Sequence, residues 1–138
     1  MRSYAIGFLF AALCCAPGLS QTVPQWKVVK VLKLTSVAGV NSATLFTPSA
    51  VNDYRLSVWI IGPQLAGSGE ECETNLNWED SLGGTPEAIV VFYEGVGFNT
   101  SAWASNVFAI TPEAKQPVTY SVSCPFEYRL RIVVEKLE

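Results

Sequence analysis

The sequence has no histidine among its 138 residues. That absence rules out Ser–His and Cys–His nucleophile pairs and deprives a zinc site of its commonest nitrogen ligand. Charge is scarce as well. Charged residues make up 15% of the chain, against about 25% in ordinary soluble domains. Either much of the chain is buried, or some apolar surface is kept for a partner. Lys and Arg number 9 against 12 Asp and Glu, for a net charge of -3. No basic patch stands ready to neutralise phosphates, so nucleic-acid binding is not expected. Lys27, Lys30 and Lys33 share one strand-like segment and read as solvated strand positions rather than an anion site. The chain has no P-loop, no Gly-x-Ser-x-Gly elbow and no Gly-rich dinucleotide turn. Neither a metal nor a cofactor is expected. No segment sustains the 3.6-residue apolar period of an amphipathic helix.

The N-terminus has the features of a secretory signal. Arg2 supplies the positive charge, and Tyr4 to Cys15 is an apolar stretch of suitable length. It is too short to span a hydrocarbon core, which takes about 20 residues. Pro17 and Gly18 break any helix there, and Gly18 and Ser20 fit the small -3 and -1 positions of a cut before Gln21. A lipoprotein site is not formed, because Leu13 precedes Cys14 and Cys14 precedes Cys15, where a small residue is required. The expectation is a signal over 1–20 and a single domain over 21–138. The protein would be secreted, extracellular or, in a Gram-negative bacterium, periplasmic, with no membrane span.

Cys14 and Cys15 leave with such a signal, so Cys72 and Cys124 remain. In an oxidising compartment an even pair reads most simply as one disulfide. Two buried free thiols are the alternative. A closed loop of about 50 residues would contribute on the order of 4 kcal/mol in the chain-entropy model.

Short runs rich in Val, Ile, Tyr, Trp, Phe and Thr alternate with Pro, Gly, Asn and Ser punctuation, which is the pattern of many short strands. In the run from Trp26 to Val37, a regular strand puts Trp26, Val28, Leu32 and Leu34 on one face. Ala43 to Thr47 is a shorter run ended by Pro48. From Tyr54 to Ile61, Tyr54, Leu56 and Val58 take one face, with Trp59 and Ile61 on the other. Glu71 to Glu79 alternates Cys72, Thr74, Leu76 and Trp78 against Glu71, Glu73, Asn75, Asn77 and Glu79, a half-buried strand with one wet face. After a Gly-rich turn, Ala88 to Tyr93 is apolar on both faces. Trp103 to Ile110 ends at Thr111-Pro112. Val118, Tyr120, Val122 and Cys124 share a face, as do Phe126, Tyr128, Leu130, Ile132 and Val134. About eight strands of this kind close as an all-β, antiparallel two-sheet sandwich.

Paired carboxylates are the only acid–base option left. Glu71, Glu73 and Glu79 alternate with Asn on a polar strand face, as solvated residues do, and Glu70 and Asp80 add no motif spacing for calcium. The expectation is a protein without enzymatic activity. The apolar residues that alternation leaves outside the core are more informative. Trp59 and Ile61 face away from it, and Ile89, Val91 and Tyr93 form one of the two faces of their strand. Exposed apolar residues of this kind mark an interface unless a loop covers them; an exposed Trp59 or Trp103 is also a platform for stacking a sugar ring. Asn99-Thr100-Ser101 is a glycosylation sequon that acts only in a eukaryotic secretory pathway.

Thr44-Leu45-Phe46-Thr47-Pro48 followed by Tyr54-Arg55-Leu56-Ser57-Val58 resembles jelly-roll modules of the C1q and tumour-necrosis-factor type. Those modules have a short strand, a Pro-containing turn and then a Gly-Tyr leading into a central strand. Small secreted and phage-associated β-sandwich proteins of unknown function show a similar pattern, and Tyr128-Arg129-Leu130-Arg131-Ile132 resembles their last strand. Asp53 stands where those families place glycine. The resemblance implies a jelly roll of eight or ten strands that often trimerises through apolar sheet faces. The expected protein is a secreted sandwich that forms homo-oligomers or binds an extracellular protein partner through Trp59, Ile61, Ile89, Val91 and Tyr93. A carbohydrate-binding module is the alternative.

Overall fold

A computed structural model describes residues 23–36, 38–62, 71–93 and 103–138, apart from the side chains of Phe92 and Tyr93. The expected signal over 1–20 and the sequon at Asn99 lie outside the described residues. Eight strands run in order: β1 (Trp26–Ser36), β2 (Val40–Phe46), β3 (Tyr54–Ile61), β4 (Glu71–Asn77), β5 (Glu87–Tyr93), β6 (Trp103–Ile110), β7 (Val118–Ser123) and β8 (Tyr128–Leu137). No helix among the described residues is long and apolar enough to cross a membrane.

The pairing is nested. β1 pairs with β8, β2 with β7, β3 with β6 and β4 with β5, all antiparallel. This is one long hairpin of four-strand arms. It rolls up when β3 also pairs with β8 and β4 with β7. The result is two four-stranded sheets, β1-β8-β3-β6 (sheet A) and β2-β7-β4-β5 (sheet B), the strand order of a jelly roll.

The sequence dictates this layering through its period of two. In β3, Tyr54, Leu56, Val58 and Ile60 are buried; in β8, Tyr128, Leu130, Ile132 and Val134 are buried; the residues between them lie outside. From sheet B, Leu76, Val90, Val118, Tyr120 and Val122 meet them. Each fully buried side chain of this size contributes about 1.5–3 kcal/mol. Phe108 and Ile110 also face inward, with Ile110 buried and Phe108 packed against the core. The Tyr128 hydroxyl donates to Ala38 O at 3.1 Å, and burial pushes its pKa up. Gly39 runs so close to β7 that a Cβ would lie 2.6 Å from Val122 O. Gly83 and Gly84, at φ +93° and +102°, make the turn after β4.

Cys72 and Cys124 form a disulfide, with Cα atoms 4.3 Å apart and both residues buried. Because Glu73 pairs with Ser123, the bridge sits across neighbouring strands of sheet B and does not join the two sheets.

One expected face is not kept. Trp26, Val28, Leu32 and Leu34 do not lie on one side of β1. The register of β1 against β8 slips between Val28 and Lys30, leaving Val29 as an extra residue. A bulge of one residue reverses every side chain beyond it. Leu32 and Leu34 pack on the core, while Val28 pairs with Glu135, which also pairs with Arg55 on the outer face of sheet A. Trp26 follows it outward and lies 5.0 Å from the Arg55 guanidinium. Lys27, Lys30 and Lys33 are all exposed, and lysines along an edge strand oppose edge-to-edge pairing with another chain.

Candidate interaction faces

Directly paired residues of antiparallel strands share a face, so the register lays out the outer surface of sheet A row by row. Arg55 stands between Glu135 and Ala109, with Val28 beyond Glu135. In the next row, Ser57 stands between Val133 and Val107, with Val31 beyond. Trp59 then stands between Arg131 and Ser105, with Lys33 beyond. Ile61 stands between Arg129 and Trp103, with Thr35 beyond.

This face is wet and apolar at once. Trp59 is 40% exposed, Trp103 62% and Val107 59%. Because Ser57 is small, a shallow depression of about 400 Å³ opens over it, walled by Trp59, Val107, Arg131 and Val133. Trp59 and Trp103 are diagonal neighbours on β3 and β6, about 7–8 Å apart at the backbone.

The charges on this face are unevenly matched. Arg55 Nε donates to Glu135 Oε2 at 2.7 Å. That hydrogen bond holds the Glu135 carboxyl below the ordinary carboxylate range and raises the Arg55 guanidinium. Stacked on Trp26, Arg55 links β1, β8 and β3 at one end of the sheet. Lys33 and Arg131 are cross-strand partners, and like charges in that position destabilise a sheet. Among the described residues the other ion pair is Lys27–Glu138 at 3.2 Å, so neither Lys33 nor Arg131 has an acidic partner there.

The outer face of sheet B has a different composition. Its rows are Glu71 with Tyr93; Glu73 with Ser123 and Val91; Asn75 with Ser121 and Ile89; and Asn77 with Thr119 and Glu87. Asn75 Nδ2 donates to Glu73 Oε1. Ile89 is 46% exposed, with the half-buried Val91 beside it on edge strand β5. The strands of sheet A carry seven basic residues and the single acid Glu135, whereas those of sheet B carry Glu71, Glu73 and Glu87 and no basic residue.

The five expected interface residues therefore fall on two opposite surfaces. Trp59 and Ile61 belong to sheet A; Ile89, Val91 and Tyr93 belong to sheet B. The side chain of Tyr93 is outside the described residues. Trp103 and Arg131 complete the sheet A surface, and Trp26 joins it through the bulge. Sequence alternation marks Trp103 as a strand residue but does not give its face. Glu71 and Glu73 lie in successive rows of the sheet B surface, while Glu79 stands in the turn whose backbone oxygen accepts from Glu113 N at 2.7 Å. Among the described residues no group of three or more His, Cys, Asp or Glu is placed to hold a metal ion. Thr74 Oγ1, Asn75 Oδ1 and Trp78 Nε1 are buried without a hydrogen-bond partner. No protein-family model matches the chain, and no curated protein matches it.

Proposed function

We propose that this is a non-catalytic, exported binding module whose main working surface is the outer face of sheet A, and that it self-associates or engages a protein partner there. The observation that carries this reading is the patch of exposed Val107, Trp59 and Trp103, spread over three successive rows, beside Arg129 and Arg131. Trp and Arg are the residue types that dominate binding energy at interfaces. A single exposed apolar residue needs no explanation, but a contiguous patch does. The like-charged pair Lys33–Arg131 adds the chemistry of the partner, because acidic groups arriving there would relieve a local repulsion.

The test is the native mass of oxidised residues 21–138 by light scattering after size exclusion. A dimer or larger species that reverts to monomer in Trp59→Ser supports self-association on this face. A monomer at every concentration sinks self-association and leaves a foreign partner.

The diagonal pair Trp59 and Trp103 supports a second reading, a platform for a carbohydrate. Titrating glycans while following indole fluorescence distinguishes it: a saturable change lost in Trp103→Ala favours the sugar, and a flat response across acidic and neutral glycans removes it.

A further inference from the structure

We infer that copies of this protein associate head to tail, the outer face of sheet A of one copy lying on the outer face of sheet B of the next. The inference rests on the self-association reading above and adds which surfaces meet. Trp59, Trp103, Arg129 and Arg131 mark the first surface; Glu71, Glu73, Ile89 and Val91 mark the second. Two sheet A faces brought together would set Lys33, Arg129 and Arg131 against their own copies, and the one acid available, Glu135, is already held by Arg55. Two sheet B faces would set Glu71, Glu73 and Glu87 against theirs. Like charges forced together across an interface oppose the contact and select against that pairing. Only the mixed pairing puts basic against acidic and an apolar strip against an apolar strip.

Geometry then fixes the kind of assembly. The two outer faces of a two-layer sandwich point in opposite directions, so each added copy leaves a fresh face exposed. A heterologous contact of that sort grows into an open stack instead of closing as a dimer. With sheets about 10 Å apart inside and between copies, the stack repeats at roughly 20 Å per copy. A face of four strands about eight residues long measures roughly 500 Å². Two such faces remove on the order of 1,000 Å² from water, which suits a weak, reversible contact.

The experiment uses oxidised residues 21–138 in sedimentation velocity over a concentration series. The mass should rise without a plateau at the dimer, and association should weaken at least about fivefold between 0.05 and 0.5 M salt, as screening shortens the reach of the charges. Two variants then separate the faces: Trp59→Ser/Arg131→Ser blocks sheet A, and Glu73→Ser/Ile89→Ser blocks sheet B. Each alone should be monomeric with an unchanged circular dichroism spectrum. Mixed in equal amounts they should form a one-to-one dimer that does not grow, because one intact face of each kind remains. If the sheet B variant still dimerises alone while the sheet A variant does not, the contact is sheet A on sheet A; the head-to-tail inference falls and self-association stands. If both variants are folded and their mixture stays monomeric, the inference is overturned. If the unmodified protein is monomeric throughout, self-association fails and the inference fails with it.

Discussion

The two sheets are alike inside and opposite outside. Both inner faces obey one rule, a buried side chain at every second residue, nearly always apolar, as Leu56, Val58 and Ile60 in β3 and Cys72, Thr74 and Leu76 in β4 illustrate, with Thr74 the polar exception. Their outer faces share the alternation and almost nothing else. One presents Trp, Val and Arg; the other presents Ser, Thr, Asn and Glu, with two aliphatic residues on its edge. Folding constrains chiefly the inner set, because that set is the one taken fully out of water. The composition of an outer face is free of the core's demands, so two outer faces on one core can differ as widely as these do.

The comparison can be broken at several points. The largest effect belongs to the bridge that sheet B has and sheet A lacks. Removing it in Cys72→Ser/Cys124→Ser should lower stability by about 4 kcal/mol, read as a lower urea midpoint. A midpoint that does not move would mean that the β4–β7 pairing needs no covalent help. Core truncation comes next and tests the likeness of the inner faces. Leu56→Ala in sheet A and Leu76→Ala in sheet B, both fully buried, should each cost about 3 kcal/mol with the same denaturant slope. If either truncation changes the denaturant slope, the two sheets do not share a single cooperative core.

The smallest effect concerns the corner of sheet A where Arg55 meets Glu135. The hydrogen bond from Arg55 lowers the carboxyl's pKa in the folded state. Its contribution is therefore complete above the unfolded carboxylate value and disappears as pH falls through the lower folded value. Stability curves of the unmodified protein and Arg55→Met should differ slightly at neutral pH and converge in acid, and curves that stay parallel would show that the pair contributes nothing. The Glu135 carboxyl resonance followed by NMR should move back toward the ordinary carboxylate range in Arg55→Met.

Much of the fold is legible in the sequence because alternation is a local signal. Tyr54–Ile61 and Trp103–Ile110 emerge with the expected limits, the latter stopped by Thr111-Pro112. Trp59 is recognisably outward because its own strand neighbours are so plainly inward. The face of Trp26 is not legible, since the bulge at Val29 depends on how β1 meets β8 about a hundred residues later. The division of the interface candidates between two surfaces is hidden for a similar reason. Alternation tells which side of a strand a residue takes, but sheet membership depends on pairing between distant segments. The segregation of charge follows from the same pairing, and single strands such as β4 and β8 reveal it only once their sheets are known.

The nested pairing also governs when the chain can fold. β8 lies between β1 and β3 in the middle of sheet A, and the ring of contacts closes where Gln25 and Glu138 exchange two backbone hydrogen bonds of 2.9 Å. Sheet A therefore has no interior until Leu137 is available. Each pair outward from β4–β5 closes a longer loop than the last, which makes folding slow. Such a chain emerges from the ribosome unable to bury its core early, and its apolar strands wait for partners until the last strand is complete.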